Sequence, residues 1–406
     1  MNKNGAGFWR YLVGPRLVVV LAISVIASLA HHAGLLRAMD STALDAFVLS
    51  RAPSQARDVV LVTITDEDYH SPDLFNGASP LNPDIVADLV RAILAGVPRV
   101  VGVDLDTSHE RYRDRELLDL RLPTVVWARD AWRDAEGRWN VLKAVGGGQP
   151  AASAAAGGDH ATIANGLSLF PRDNDGMVRS YYRELVLETR SGGIRCPSLA
   201  WAILQVRDGR RPEPCERAGE AAHHESPTWF NFAADRFTFR KIPAGVVYRS
   251  WKEHGTPPSD DFRDAVVLLG GSFQSARDTH LTPLGEIAGV ELTALAVESE
   301  IAGGGIHASN HVLMVVCDVL SGIALLFVHW MAHRAPTEGR RVLLNTGGVA
   351  LVVLLALLGS YVSFRAFGYW ASFLPVALGV WLHLAYDRAK LLRAYQRAYP
   401  EFGRKH

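Results

Sequence analysis

Long apolar segments lie near both ends of the chain, and the segment between them reads as an ordinary globular sequence. Residues 342–364 and 366–386 contain no Asp, Glu, Lys or Arg, and residues 312–333 contain only one, Asp318. A helix of about 20 apolar residues crosses the hydrocarbon core of a bilayer. The pattern therefore predicts three C-terminal transmembrane helices, the last of which is kinked at Pro375.

A fourth apolar segment, residues 11–30, follows a basic N-terminus. It is either an uncleaved signal anchor, which is the interpretation that we favour, or a cleaved signal peptide. The second interpretation stays open because residues 28–30 (Ser-Leu-Ala) resemble a cleavage site. Both interpretations place residues 31–311 on the same side of the membrane.

The distribution of Lys and Arg predicts the orientation. These residues concentrate in the segments that precede the first span, join the second to the third and follow the last, whereas the opposite flanks carry only Arg37 and Arg365. Positive residues mark the cytoplasmic side, so both termini are expected inside. The expected segments are a cytoplasmic tail 1–10, a span 11–30, an extracytoplasmic domain 31–311, a span 312–333, a cytoplasmic loop 334–341, spans 342–364 and 366–386, and a basic cytoplasmic tail 387–406.

The extracytoplasmic segment predicts an α/β fold. Short β-branched runs, typical of buried strands, recur along it, and a helix from Pro83 to Gly96 separates the first two. This crossover implies a parallel pair of strands. The predicted fold class is an α/β domain with a mainly parallel sheet covered by helices, plus the α-helical transmembrane segments. The predicted strands are 58–64, 99–105, 124–127, 178–188 and 265–271, with a hairpin from 229–232 and 237–239, and the predicted helices are 83–95, 113–120, 197–206 and 290–302.

Composition narrows the classes of function. Lys plus Arg and Asp plus Glu each number 42, and this balance argues against a nucleic-acid binder, which would show a basic face. Cys317 lies in a predicted span, whereas Cys196 and Cys215 lie in the outer segment, where disulfides persist. These two cysteines form either a disulfide or two ordinary thiols.

Candidate binding residues follow the predicted strands, because ligands of parallel sheets sit outside the carboxyl ends of the strands. Carboxylates that converge there can bind a cation or an amine. The alternative is a structural role, in which the acids cap helices or pair with arginines. The candidates are Asp66, Glu67, Asp68, Asp104, Asp106, Arg179, Arg277, Asp278 and Thr282.

The sequence predicts no catalytic, cofactor or metal site. Gly270-Gly271-Ser272 is neither a nucleophile elbow nor a phosphate-binding loop. The histidines, among them His223 and His224, lack the spacing of a structural metal site.

A set of ordered motifs resembles a known family, the bacterial type-2 CHASE domain (cyclase/histidine-kinase-associated sensory extracellular domain). The resemblance covers most of residues 40–305 and is followed by the three apolar segments. Its motifs are Asp45, residues 59–64 with Asp66 and Glu67, residues 79–81 (Ser-Pro-Leu), 98–104, 174–179, 197–200, 266–271, 278–283 and 289–292.

The resemblance implies a membrane sensor of the bacterial inner membrane. In that family one span, the sensory domain and three spans precede a cytoplasmic output domain, commonly a cyclase or a kinase. Thr65 stands here where the family has an acid, and no nucleotide-binding or kinase motif follows Tyr386. We therefore expect a sensor of a small extracytoplasmic ligand or ion that relays its signal to a separate cytoplasmic effector, with a homodimer as the expected oligomer.

Three questions remain open at this point. The protein can instead be a structural or assembly protein that scaffolds other membrane proteins. Asp318 is either a transmembrane relay or assembly residue or a group exposed to interfacial water. The basic tail either binds anionic lipid or docks a cytoplasmic subunit.

Overall fold

The computed structural model describes residues 15–50, 56, 58–113, 122, 124–142, 145, 164–218, 227–232, 239–308 and 311–398. The chain divides into two compact units. One unit, Met1–Ser50 with Ile306–His406, contains the apolar segments and is called the apolar unit. The other, Arg51–Gly305, contains the predicted sheet and is called the sheet unit.

The described residues form ten α-helices, separated by strands and by short 3₁₀ turns at Glu110–Arg113, Asp260–Phe262 and Gln274–Ala276. The helices are α1 (Pro15–His32), α2 (Arg37–Leu49), α3 (Asp66–His70), α4 (Pro83–Ala95), α5 (Leu199–Arg207), α6 (Ala244–His254), α7 (Gly289–Ile301), α8 (His311–His333), α9 (Glu338–Phe367) and α10 (Leu374–Ala398).

The strands of the described residues are mostly short. They are β1 (Val59–Ile64), β2 (Val100–Asp104), β3 (Val125–Arg129), β4 (Ala131–Arg133), β5 (Trp139–Val141), β6 (Asn165–Leu167), β7 (Ser180–Tyr181), β8 (Glu184–Thr189), β9 (Gly192–Pro197), β10 (Glu216–Arg217), β11 (Thr228–Trp229), β12 (Arg240–Pro243), β13 (Val266–Gly271), β14 (Thr279–Thr282), β15 (Gly285–Ala288), β16 (His307–Ala308) and β17 (Tyr369–Trp370).

Six strands of the sheet unit form one sheet in the order β12-β1-β13-β2-β3-β6, and every neighbouring pair is parallel. β13 comes last in the chain of these six, yet it lies at the centre, between β1 and β2. Gly270 is in register with Asp104 on one side and Thr63 on the other. The carboxyl ends of all these strands therefore meet at one edge of the sheet.

Helices cover both faces of this sheet. α4 and α6 contact each other and pack against β2 and β1, whereas α5 and α7 contact each other and pack against β2, β3, β6 and β13. The faces follow the two-residue period of a strand. Val101 and Val103 belong to the core cluster that includes α4, whereas a Cβ added at Gly102 would meet Ile203 of α5 at 2.5 Å. The prediction of a mainly parallel, helix-covered sheet is confirmed.

Local sequence explains where the covering helices begin. Pro83 occupies the first turn of α4, and the side chain of Asn82 accepts a hydrogen bond from the amide of Asp84 at 3.0 Å. Ser198 caps α5 in the same way by accepting from the amide of Trp201 at 3.3 Å. The helices predicted at 83–95, 197–206 and 290–302 are therefore present with nearly the expected bounds.

A smaller, mostly antiparallel sheet, β10-β9-β8-β5-β4, packs around its own apolar cluster. A disulfide joins Cys196, which is fully buried on β9, to Cys215, and this cross-link closes a loop of sequence separation 19. The structure thus has the disulfide that the sequence left open against two thiols.

Two of the predicted elements are wrong. Residues 178–188 are two strands, β7 and β8, because the chain turns between them and pairs with different partners. The described part of the hairpin predicted from 229–232 and 237–239 pairs elsewhere: Trp229 of β11 pairs with β7, and β12, which follows Phe239, joins the main sheet. Most of the helix predicted at 113–120 and part of that hairpin lie outside the described residues.

The apolar unit consists of α1, α2, α8, α9 and α10. α8 contacts α1, α9 and α10, and α10 contacts α1. Two helical segments, Met314–His333 and Glu338–Phe367, are long and apolar enough to cross a membrane, and Leu17–His31 is a shorter apolar helix.

The helix that corresponds to the last predicted span, residues 366–386, begins later in the chain than expected. α9 continues to Phe367, and residues 369–370 pair with residues 307–308 before α10 begins at Leu374. Pro375 therefore lies in the first turn of α10, where its missing amide hydrogen leaves no helical bond broken, and the predicted kink is wrong. The predicted N-terminal tail 1–10, the first four residues of the predicted span 11–30, and residues 399–406 of the C-terminal tail lie outside the described residues.

Candidate functional site

A cleft of about 440 Å³ lies at the carboxyl edge of the main sheet. This is the edge at which parallel α/β sheets bind their ligands. The ends of β2 and β3 line it on one side, and the loop after β13 lines it on the other. Its charged residues are Asp104, Asp106, Arg129, Asp130, Arg277 and Asp278.

Asp104 is the last residue of β2, and its side chain is only partly exposed. Its Oδ2 accepts a hydrogen bond from the hydroxyl of Thr293 on α7 at 2.8 Å. Burial of the carboxylate raises the pKa of Asp104 from the ordinary 3.8 to about 6, and Asp278 adds to this rise, whereas hydrogen bonds from Thr293 and Ser168 oppose it. The cleft therefore favours the protonated form of Asp104 more than water does.

Arg129 is the last residue of β3 and is only 8 % exposed. Its Nε donates to the carbonyl of Leu142 at 2.8 Å, and its Nη1 donates to Sγ of Cys215 at 3.0 Å. No carboxylate of the described residues forms an ion pair with it, and burial alone lowers its pKa to about 10. The cleft thus contains a buried cation whose partners are a carbonyl and a sulfur atom, both neutral.

The other carboxylates of the cleft lie close enough to repel one another. Partial burial raises the pKa of Asp130, a hydrogen bond from the amide of Ala131 opposes this rise, and Asp106 and Asp278 add to it. Asp278 contacts Nε2 of His280 at 2.9 Å. A cation placed among these acids would relieve their mutual repulsion.

Arg277 and an aromatic pair complete the wall of the cleft. Arg277 is exposed and adopts a left-handed backbone conformation with φ of 53° after the turn at Gln274–Ala276. Tyr69 and Phe273 stack with their ring centroids 4.3 Å apart, and the hydroxyl of Tyr69 donates to the carbonyl of Gly77 at 2.8 Å. The cleft therefore joins an apolar wall to groups of both charges.

The acidic residues that follow the first strand, Asp66, Glu67 and Asp68, were predicted as candidates but do not line the cleft. Asp66 is exposed and accepts from the amide of Gln274 at 3.0 Å, which holds the loop after β13. Glu67 is exposed. Asp68 is buried, closes a capping box with Thr65, and accepts from the amide of Gly245 at 3.1 Å. The structural alternative therefore accounts for Asp68.

Two further predicted candidates have structural partners away from the cleft. Arg179 is buried and pairs with Asp173 at 2.9 Å and with Asp175 at 2.8 Å. Thr282 is buried and donates its hydroxyl to the carbonyl of Gly285 at 2.7 Å inside the β14–β15 hairpin. Asp104, Asp106, Arg277 and Asp278 are the predicted candidates that the structure brings together.

Four residues of this region were missed from the sequence: Arg129 and Asp130 at the end of β3, Ser168 after β6, and Thr293 on α7. The rule that ligands sit outside strand ends points to the first two, since Thr124–Trp127 was already predicted as a strand. No sequence pattern points to Thr293, because its importance depends on α7 crossing the end of β2.

α7 is tied to the cleft and is the last helix before the chain leaves the sheet unit. Thr293 binds Asp104, and the carboxylate of Asp278 lies so close to Gly289 that a Cβ there would clash with it. At the other end of the helix, Glu300 forms an ion pair with Arg183 at 2.8 Å. The first turns of α7 are therefore in direct contact with two carboxylates of the cleft.

A metal-binding group is not found in the part of the chain that the structure describes: no cluster of three His, Cys, Asp or Glu side chains is close enough to hold an ion. The chemistry that this arrangement supports is recognition of a small molecule by charge and by an apolar face.

Comparison with curated proteins and with solved structures finds no match. The family model of the CHASE2 domain matches residues 18–332, which is most of the chain. This range extends the resemblance noted in the sequence to α1 and α8. CHASE2 is a sensory extracellular domain. The chain belongs to the CHASE2 domain family.

Proposed function

We propose that this protein is a bacterial inner-membrane sensor whose cleft binds a small extracytoplasmic ligand and whose C-terminal spans relay the signal to a separate cytoplasmic effector. The observation that carries the proposal is the buried guanidinium of Arg129 in the cleft, without an ion pair among the described residues. Burying a charge without a counter-charge costs several kcal/mol. A ligand with an anionic group would offset this cost.

The charges of the cleft indicate the class of ligand. Arg129 and Arg277 favour an anionic group, whereas Asp104, Asp106, Asp130 and Asp278 favour a cationic one. One molecule that carries both charges satisfies both sets, as the zwitterion of an amino acid or a short peptide does. The stacked rings of Tyr69 and Phe273 favour an apolar portion between or beside the charges. We propose binding and not conversion of this ligand.

α7 supplies the proposed path out of the cleft. A ligand ammonium beside Asp104 would compete with Thr293 for the carboxylate and thereby shift the first turns of α7. The chain then continues from Ile301 to α8, the first helix of the C-terminal apolar set. Two observations support this path. Thr293 of α7 donates a hydrogen bond to Asp104 in the cleft, and the chain runs from the end of α7 to α8.

The proposed topology has four spans, both termini in the cytoplasm and the sheet unit outside. Its support is the concentration of Lys and Arg described above, together with the two helical segments that are long and apolar enough to cross a membrane and the shorter apolar helix Leu17–His31. α10 continues past its apolar part into a basic stretch that includes Arg388, Lys390 and Arg393. We propose that this stretch docks the effector, and that the receptor acts as a homodimer.

Ligand binding is tested with the full chain in lipid nanodiscs. Calorimetric titration compares free amino acids with their N-acetyl derivatives, which lack the ammonium group, and with their amides, which lack the carboxylate. We expect the zwitterion of at least one amino acid to bind and both derivatives to bind at least roughly tenfold more weakly. Equal binding of all three forms, or of none, would refute the proposed ligand class.

The proposed role of Arg129 is tested by comparing an arginine variant in the cleft with an arginine variant away from it. Arg129→Gln should abolish binding of the zwitterion. Arg263→Gln, which changes a 67 % exposed arginine just before β13 at the opposite edge of the sheet, should leave binding unchanged. Ligand recovered after incubation should be chemically unaltered, and any conversion would contradict the proposal of a non-enzymatic sensor.

The effector is tested separately, by native mass spectrometry of the full chain released from its own membrane and of a variant that lacks residues 387–406. A stoichiometric partner that is lost from the truncated variant would support the relay. Ligand binding without any cytoplasmic partner, combined with co-purifying membrane proteins in both samples, would favour the scaffold alternative.

A further inference from the structure

Inside the apolar unit, a small cavity of about 20 Å³ lies where α1, α8 and α10 meet. Its polar lining residues are Ser24 on α1, Asp318 and Ser321 on α8, and His383 on α10. A volume of this size is enough for one water molecule or one small ion.

Asp318 is the group that this cavity leaves unsatisfied. Its side chain is only 6 % exposed, and its Oδ2 has no hydrogen-bond partner among the described residues. Asp318 belongs to the segment Met314–His333, which is apolar enough to cross a membrane. A buried carboxylate in such surroundings is costly unless a proton, an ion or a water molecule occupies the space beside it.

The three helices approach closely at this level. Gly322 follows Ser321, and a Cβ at Gly322 would lie 2.5 Å from Cγ1 of Val20. Ser24 is itself buried, with 5 % exposure. Ser24 and Ser321 thus line the same small cavity as Asp318, and hydroxyl and carboxylate oxygens are ligands that suit a hard cation.

We propose that Asp318, Ser24 and Ser321 form an intramembrane site for a small monovalent cation, either a proton or Na⁺, and that its occupancy sets the packing of α1 against α8 and α10. The site is distinct from the cleft of the sheet unit. It rests on the part of the proposed function that places α8 across the membrane, and the experiment below reports that placement by a separate readout.

Other titratable groups on the helices of the apolar unit have to be considered. His31 of α1 lies close enough to interact with it electrostatically, but its ring contacts Asp40 at 3.4 Å. Cys317 is its neighbour on α8, and His383 lines the cavity from α10. On α9, Tyr361 packs edge-on against Phe47 and Arg365 is exposed.

The experiment labels the full chain in proteoliposomes with dicyclohexylcarbodiimide, a lipophilic reagent for protonated carboxyl groups. Mass spectrometry of the peptide that contains Asp318 gives the labelling rate as a function of pH, with either Na⁺ or K⁺ as the added cation. We expect labelling to fall roughly tenfold for each pH unit above the midpoint. A fall in labelling on addition of Na⁺ but not of K⁺ would identify Na⁺ as the occupant, whereas dependence on pH alone would identify the proton.

Three controls keep the result decisive. In the Asp318→Asn variant the corresponding peptide must stay unlabelled. In the native chain unfolded in dodecyl sulfate, Asp318 must become labelled at acid pH. Ser24→Ala with Ser321→Ala should shift the midpoint or abolish the Na⁺ effect while the chain stays folded. Labelling that depends on neither pH nor Na⁺, or no labelling of the folded chain at any pH, would overturn the proposal.

A water-soluble carbodiimide distinguishes failure of the site from failure of the topology. If that reagent labels Asp318 as fast as the lipophilic one, the residue lies in interfacial water and the intramembrane site is refuted. Ligand binding in the cleft is unaffected by that outcome, because it is measured with different residues and a different assay.

Discussion

Asp104→Asn tests the electrostatics of the cleft directly. The native carboxylate has a pKa of about 6 against an ordinary value of 3.8, because burial and Asp278 oppose its ionisation. Between these two values the folded chain binds more protons than the unfolded chain, so stability falls as the pH rises from about 4 to about 6 and is then constant. The full difference corresponds to roughly 3 kcal/mol, and screening by water in the cleft reduces it to about 2.

Asparagine has the shape of aspartate, and its amide oxygen can still accept the hydrogen bond from Thr293. The variant should therefore match the native chain near pH 4 and be about 2 kcal/mol more stable near pH 7, which is a rise in melting temperature of several degrees. The assay is thermal unfolding of the full chain in nanodiscs, followed by tryptophan fluorescence, since Trp127 is fully buried on β3.

A matched control is Asp260→Asn, which changes a carboxylate that is 97 % exposed and should leave the melting temperature unchanged at every pH. The reasoning is refuted if Asp104→Asn and the native chain respond identically to pH, or if the variant is the less stable protein at neutral pH. The first result would mean that Asp104 is solvated as an ordinary surface aspartate, and the second that its ionised carboxylate stabilises the fold.

Three further predictions concern stability, each measured by the same unfolding assay. Asp68→Ala removes a helix cap and leaves the amide of Gly245 without its partner, so a loss of about 2 to 3 kcal/mol is expected, and a loss below about 0.5 would contradict the buried bond. Replacing Cys196 and Cys215 by serine removes a cross-link of sequence separation 19 and should cost about 3 kcal/mol, whereas an unchanged melting temperature would show that the cross-link is dispensable. Gly102→Ala places a Cβ 2.5 Å from the side chain of Ile203 and should cost about 1 to 3 kcal/mol, unless α5 moves away freely.

Much of the sheet unit was predictable because its central strands are fully buried. A run such as 266–271 has apolar or small residues at every position, which is typical of a strand covered on both faces. The helices between the strands carry clear start signals, such as Asn82-Pro83 and Ser198. The edge elements were predicted less well, since residues 178–188 and 228–243 divide between different sheets according to partners that are distant in the chain.

Half of the cleft was also predictable from the strand-end rule. It identified Asp104 and Asp106, and it placed Arg277 and Asp278 in the loop after the last strand. The same rule cannot separate a carboxylate that lines a cleft from one that caps a helix. Asp68 and Asp104 both lie near the carboxyl ends of buried strands, yet Asp68 accepts from the amide of Gly245 and Asp104 lines the cleft.

The sequence by itself determined the division into apolar ends and an α/β middle, the family, and most of the strands and helices, because these depend on periodicity and on residues that are neighbours in the chain. Only the tertiary structure decided that β13 lies between β1 and β2, and therefore that Asp278 lies close enough to Asp104 to raise its pKa. It also decided that Arg129 is buried without a carboxylate partner among the described residues. Charge partners and burial depend on which distant segments pack together, and no local pattern in the sequence records that.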